Sequence, residues 1–66
     1  MVNIAEKRKA QKMTQAELAQ LVSVSQRAIA AYELGERRPS VTTAKKLGKV
    51  LGFSWVKLFE EDDDDE

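Results

Sequence analysis

Residues 14–33 decide the fold, and they read TQAELAQLVSVSQRAIAAYE. Thr14 followed by Glu17 is a capping-box pattern, which predicts a helix that ends near Val22. Ser25 is a favourable N-cap for another helix directly afterwards. This stretch therefore predicts two helices of about eight residues that follow one another with almost no connecting chain.

The second of these helices is predicted over residues 26–33, and Gly35 suits the left-handed position that ends it. The connection at residues 23–25 is too short to fold the helices back antiparallel. It holds them at a steep angle, as in a helix-turn-helix unit, whose second helix projects as a reader. Ala19 lies at the crossing, where a larger side chain would push the helices apart.

Three further short helices are predicted around this unit, over residues 3–11, 42–51 and 54–59. Asn3 with Glu6 predicts the start of the first, and apolar residues at helical spacing predict the next. Gly52 ends that helix, and Ser54 can cap the last one. Because strand alternation is absent from the sequence, the predicted fold class is all-α, a compact bundle of about five short helices.

The inward-facing apolar residues of these helices form one predicted core in a single domain, residues 1–59. They are Ile4, Leu18, Val22, Val24, Ile29, Tyr32, Leu47, Leu51, Phe53, Leu58 and Phe59. No cofactor pocket is expected among them.

Charge divides the chain into two parts. All eleven basic residues lie in residues 1–59, where four acidic residues oppose them, which leaves a net charge of +7. Residues 60–66 are all acidic and carry −7, so we expect a disordered tail there. A small basic domain usually binds an anionic polymer.

Composition excludes several classes of function. The chain has neither cysteine nor histidine, so it lacks thiolate zinc ligands, cysteine nucleophiles and the commonest general base. No apolar run approaches the ~20 residues that cross a bilayer, and the N-terminus lacks a secretory pattern. We expect a non-enzymatic, cytoplasmic domain with no cofactor, no membrane association and no small-molecule substrate.

The acidic tail leaves several interpretations open. Residues 62–65 offer oxygen ligands for Mg²⁺ or Ca²⁺, but they lack the turn glycine and spacing of a calcium loop, so no metal site is predicted. The tail is then a solvated extension, a linker towards a further domain, or a DNA-mimicking brake on the basic face.

Short motifs spread from residue 14 to residue 54 match one family. They are Thr14-Gln15-Ala16-Glu17-Leu18-Ala19, Val24-Ser25, Ile29, Tyr32-Glu33, Gly35, Arg38-Pro39-Ser40 and Leu51-Gly52-Phe53-Ser54. Over about residues 3–59 the chain resembles the lambda-type Cro/CI helix-turn-helix family of phage repressors and bacterial regulators. The resemblance implies a repressor that binds double-stranded operator DNA as a homodimer.

The resemblance places the helix at residues 26–33 in the major groove. Gln26 and Arg27 would contact bases, and their chemistry agrees, because glutamine can pair with adenine and arginine with guanine through two hydrogen bonds. Ala30 and Ala31 would contact bases only through thymine methyl groups.

The resemblance also implies contacts with the DNA backbone and between protomers. The backbone-contact positions are occupied by Gln15, Arg8, Arg37, Arg38 and Ser40. Arg8 also matches a position that forms an ion pair with Glu33. Family dimers often meet through the last helix, where Trp55 and Val56 are the candidate interface.

Several residues depart from the family pattern. Ser23 replaces the usual turn glycine, at a cost of about 1 kcal/mol if the position is left-handed. Ala28, like Ala30 and Ala31, stands where relatives often carry polar groups, so either specificity is modest or it depends on methyl contacts and DNA shape. Leu21 and Val56 are apolar where relatives are commonly charged. An exposed apolar patch would favour the alternative function, a protein-interaction module of the antitoxin or coactivator type.

Overall fold

The computed structural model describes residues 2–59, which form four α-helices and one 3₁₀ helix. The elements are α1 (Ile4–Ala10), α2 (Gln15–Leu21), α3 (Gln26–Leu34), α4 (Val41–Leu51) and the 3₁₀ helix (Trp55–Phe59). These residues contain no strand, and the predicted all-α fold class is confirmed. The tail predicted at residues 60–66 lies outside the described residues.

Polar side chains define where the helices begin. Thr14 Oγ1 accepts a hydrogen bond from the backbone N–H of Glu17 at 3.1 Å, and Glu17 Oε1 accepts one from the N–H of Thr14 at 2.8 Å. Asn3 caps α1, and Ser25 caps α3. Each cap satisfies a backbone donor that has no partner inside its helix, which is worth ~1 kcal/mol.

Each helix begins and ends within one residue of its predicted bounds, and for two elements the structure shows the reason for the difference. α4 begins one residue earlier than expected, because Ser40 accepts a hydrogen bond from the Thr43 N–H at 3.2 Å and is its N-cap. The last helix is a 3₁₀ helix of five residues. Such a short segment forms few α-helical hydrogen bonds, whereas the tighter i→i+3 bonds close within it.

The turn between α2 and α3 contains a left-handed residue at the position where the family pattern usually has glycine. Ser23 has φ 60°, and the N–H of Val24 donates to the carbonyl of Ala19 at 3.0 Å. Ala19 is buried beside this turn, so α2 can pack directly against α3. Gly35 ends α3 with φ 77°, as predicted.

One apolar core joins all five elements. Its buried members are Ile4, Leu18, Ala19, Val22, Ile29, Ala44, Leu47, Leu51 and Leu58. Partly buried side chains that pack against them are Val2, Met13, Val24, Tyr32, Val50, Phe53, Trp55 and Phe59. Every predicted core residue is in one of these two groups. None of the helices within residues 2–59 is long and apolar enough to cross a membrane.

The 3₁₀ helix reaches the core through a close approach to α4 at Gly48. A Cβ added to Gly48 would lie 2.6 Å from the carbonyl oxygen of Phe53 and 3.1 Å from the backbone nitrogen of Trp55. Only glycine leaves room for this backbone, which explains a glycine in the interior of α4 despite its poor helix propensity.

Candidate nucleic-acid interface

α1 is fastened to α3 by an ion pair between Arg8 and Glu33. The Arg8 Nε donates to Glu33 Oε2 at 2.6 Å, and its Nη2 donates to Glu33 Oε1 at 3.2 Å. The Arg8 Nη1 donates to the carbonyl of Met13 at 2.7 Å, which connects α1 to the residues directly before α2. Both charged side chains are almost entirely buried. The predicted pairing of Arg8 with Glu33 is therefore present.

The same carboxylate also orients Gln15, the first residue of α2. The Gln15 Nε2 donates to Glu33 Oε1 at 2.9 Å. Burial alone would raise the pKa of Glu33, but the hydrogen bonds from Arg8 and Gln15 outweigh burial and hold that pKa below its usual value. The hydrogen bond to Glu33 in turn raises the pKa of Arg8, so both partners stay charged.

The start of α2 and the start of α3 face a common open depression of about 380 Å³. Its lining residues are Gln15, Gln26, Arg27 and Ala30. Gln26 and Arg27 are exposed in the first turn of α3, whereas Ala30 is half-buried one turn later. The structure thus brings one predicted backbone-contact residue together with three predicted base-contact residues.

The two remaining alanines of α3 differ in position. Ala31 is half-buried and does not line this depression. The family resemblance placed Ala28 with Ala30 and Ala31 on the surface that faces DNA. Ala28 is instead buried in the interior, so it is not part of that surface. The polar part of this surface is therefore limited to the first turn of α3, together with Gln15.

The loop after α3 carries the other predicted backbone contacts. Arg37 and Arg38 are exposed, and Pro39 between them and α4 is buried. Ser40 is also exposed, but its hydroxyl is already used as the cap of α4. Pro39 anchors the loop and leaves the two guanidinium groups on the surface.

Comparison with known proteins decides the family. The helix-turn-helix family model matches residues 4–58. The chain belongs to the helix-turn-helix family. A relative in Bacillus subtilis (strain 168), the uncharacterized HTH-type transcriptional regulator YqaF, is 40% identical over 48 residues. The matched part is 73% of this chain and 63% of YqaF, so the chain matches less than two thirds of that relative's length. No solved structure matches the chain significantly.

In this helix-turn-helix domain, Arg8 is the predicted contact residue with the least surface. It is 9% exposed, and three of its guanidinium donors are used by Glu33 and Met13. A direct contact between Arg8 and DNA stays a prediction that this burial does not favour. The observed contacts instead make Arg8 a positioning residue, which holds α1, α3 and the start of α2 in a fixed arrangement.

The candidate dimer residues lie in the 3₁₀ helix of the helix-turn-helix domain. Val56 is 46% exposed, whereas Trp55 is half-buried against the core. The Lys45 Nζ lies over the Trp55 ring, 5.3 Å from its centre, so the lysine side chain covers part of the ring. Val56 is thus the more accessible member of the proposed interface, and the dimer itself stays a prediction.

Sequence reasoning missed three features of this surface. Leu34, which is in neither the predicted core nor the predicted site, is 72% exposed at the end of α3. The Arg38 guanidinium lies over the ring of Phe59, 5.9 Å from its centre. Gln15 is linked to Glu33. Only the exposure of Leu34 had a local signal, because it lies two residues after the inward-facing Tyr32 and directly before the helix-ending Gly35.

Proposed function

We propose that this chain is a transcriptional regulator that binds double-stranded operator DNA through α3 and represses by occupying the site. One observation carries the proposal: Gln15, Gln26, Arg27 and Ala30 face one open depression at the joined starts of α2 and α3. Membership of the helix-turn-helix family supports DNA binding. The mechanism is steric and performs no chemistry, and we assign it to the bacterial cytoplasm, where operator DNA lies.

Base reading belongs to the first turn of α3. The exposed amide of Gln26 can form two hydrogen bonds with adenine, and the guanidinium of Arg27 can do the same with guanine. Ala30 and Ala31 offer only methyl contacts to thymine. With two polar readers in each protomer, specificity is modest and also depends on the shape and deformability of the DNA.

Backbone contacts flank the readers on both sides. Gln15 retains one amide N–H and its carbonyl oxygen beyond the bond to Glu33, so it can still donate to a phosphate. Arg37 and Arg38 supply exposed positive charge in the loop after α3, and Ser40 follows after Pro39. Arg8 contributes by fixing the positions of α1 and α3.

We also propose that two protomers bind one operator. Two reading helices reach successive major grooves on one side of the duplex when the half-sites are about 10–10.5 base pairs apart. Exposed Val56, with half-buried Trp55, is the proposed contact between protomers.

Selection of bound duplexes from a random pool tests this function. The full chain should enrich a pseudo-palindrome with half-sites about 10–10.5 base pairs apart. Enrichment of sites without two-fold symmetry, bound by one protein each, would contradict the dimer. Failure to enrich any sequence would contradict specific DNA binding.

Two arginine variants separate base reading from phosphate contact. Arg27→Ala should cost about 1–3 kcal/mol on the selected site and relax the preference at one base pair. Arg38→Ala should weaken selected and scrambled duplexes equally and reduce the salt slope by about 1. Lys49→Ala, an exposed charge removed from α4, is the matched control. Equal loss on both duplexes for Arg27→Ala would show that Arg27 does not read bases.

A protein-interaction module is the second candidate function. It is favoured by four exposed apolar side chains, Leu21, Leu34, Val41 and Val56, of which Leu34 is the most exposed. Binding to DNA that is weak and insensitive to salt would support this alternative, because phosphate contacts make binding strongly salt-dependent.

A further inference from the structure

The 3₁₀ helix ends beside the loop that carries Arg37 and Arg38. The Arg38 guanidinium carbon lies 5.9 Å from the centre of the Phe59 ring, within the range of a cation–π contact. Phe59 is held in turn by an edge-on contact with Trp55, with 6.0 Å between ring centres. The last described residue is therefore fixed next to a proposed phosphate-binding side chain.

A groove lies at this junction. It has a volume of about 280 Å³, and Arg37, Arg38 and Leu58 all line it. Ile4 and Tyr32 add apolar surface to its lining, and Glu36 adds one carboxylate. Two exposed guanidinium groups oppose that single carboxylate, so the groove is suited to an anionic segment.

Residues 60–66, EEDDDDE, follow Phe59 directly and carry seven negative charges. We propose that this segment binds Arg37 and Arg38 in the groove and competes there with DNA phosphates. The inference rests on the proposed function only in taking DNA as the competing ligand. Contact between the segment and the groove does not depend on the proposed function. Seven residues can extend about 23–25 Å, and the ring of Phe59 directly before them lies 5.9 Å from the Arg38 guanidinium, so the segment is long enough to reach both arginines.

The expected strength follows from tethering and screening. A short tether gives an effective concentration in the millimolar range, which favours a weak contact within one chain. Ion pairs between exposed side chains are weak, and salt screens them beyond about 10 Å at 0.1 M. The tail is therefore a salt-sensitive competitor that lowers affinity for DNA without abolishing it.

Competition in this groove should reduce affinity but not sequence preference. The readers Gln26 and Arg27 line a different depression and do not face the groove. Neutralising the tail should thus strengthen binding to operator and scrambled duplexes by the same factor.

The test uses the full chain with all seven acidic residues of the tail changed to their amides, Glu→Gln and Asp→Asn. Affinity for one duplex should rise about two- to tenfold at about 0.02 M salt, and the gain should vanish near 0.5 M. In the Arg37→Ala/Arg38→Ala background the same tail change should have little effect. Lys46→Ala/Lys49→Ala removes the same charge from α4 outside the groove and should preserve the full gain.

A measurement without DNA separates this inference from the proposed function. The side-chain NMR signals of Arg37 and Arg38, and the ring signals of Phe59, should differ between acidic and neutral tails at low salt and converge at high salt. Unchanged signals would overturn the inference even if the chain binds DNA. An equal gain in both double-arginine and double-lysine backgrounds would also overturn it, because it would show only diffuse repulsion of DNA. Shifted signals in a chain that fails to bind DNA would sustain tail binding and refute the proposed function.

Discussion

The unit formed by α2 and α3 and the C-terminal 3₁₀ helix are fixed to the domain in different ways. Arg8, Glu33 and Gln15 join the first unit to α1 through directional hydrogen bonds between buried or half-buried polar groups. The 3₁₀ helix instead lies against α4 because Gly48 has no side chain. The first arrangement is sensitive to the removal of one polar partner, whereas the second is sensitive to the addition of one carbon atom.

The largest expected effect comes from breaking the polar arrangement at Arg8. Arg8→Ala leaves Glu33 charged, nearly buried and without its partner, which should lower the free energy of unfolding by about 3–5 kcal/mol. Urea denaturation followed by circular dichroism measures this loss. The exposed neighbour variant Lys7→Ala should change stability by less than about 0.5 kcal/mol.

A double variant distinguishes a lost ion pair from a merely damaged core. Arg8→Met with Glu33→Leu removes both charges and keeps apolar volume, so it should recover much of the stability that Arg8→Ala loses. A double variant as unstable as Arg8→Ala would show that the hydrogen bonds to Met13 and Gln15, and not the unpaired charge, dominate.

The next effect comes from adding one methyl group at the packed end. Gly48→Ala places a Cβ within 2.6 Å of the Phe53 carbonyl, and the resulting shift of the backbone should cost about 1–3 kcal/mol. Helix propensity opposes this loss by up to about 1 kcal/mol, because alanine is the better helix former. The fluorescence of Trp55, the single tryptophan of the chain, reports displacement of the 3₁₀ helix. Unchanged stability and emission would show that the close approach is not required.

The same contrast explains which parts of the structure could be predicted from the sequence. The capping box at Thr14 and the left-handed end at Gly35 depend on neighbouring residues, so the pattern alone located them. The close approach at Gly48 joins segments that only the folded chain brings together, and the identity of the nearest atoms has no local signal.

The candidate site divides in a similar way. Gln26 and Arg27 directly follow a cap, and their exposure follows from helical position. The burial of Arg8 depends on the packing of α1 against α3, and the contact of Arg38 with Phe59 depends on the path of the C-terminal segment. These were not accessible to sequence reasoning.

A smaller effect is expected at the turn inside the α2–α3 unit. Ser23 has φ 60°, a left-handed conformation that costs a residue with a Cβ about 1 kcal/mol. Ser23→Gly should therefore raise the free energy of unfolding by up to about 1 kcal/mol, reduced by the greater freedom of glycine in the unfolded chain. Ser23→Ala is the matched control and should give no such gain. A Ser23→Gly variant less stable than wild type would show that the serine side chain stabilises the turn.

The smallest expected effect is the titration of Glu33, because burial and hydrogen bonding shift its pKa in opposite directions and hydrogen bonding prevails. A carboxyl whose pKa is lowered by folding stabilises the folded state at pH values above its unfolded pKa. That contribution is lost as the pH falls from the usual value of 4.5 through the lower folded pKa. Urea denaturation of wild type and Glu33→Gln between about pH 7 and pH 2.5 measures it, and the seven tail carboxyl groups cancel because both chains carry them. The stability difference between the two chains should be constant near neutral pH and shrink in acid. If the difference stayed the same down to the lowest pH, protonation of Glu33 would not change the stability of the folded state. Ionised Glu33 would then stabilise the protein no more than its protonated form does.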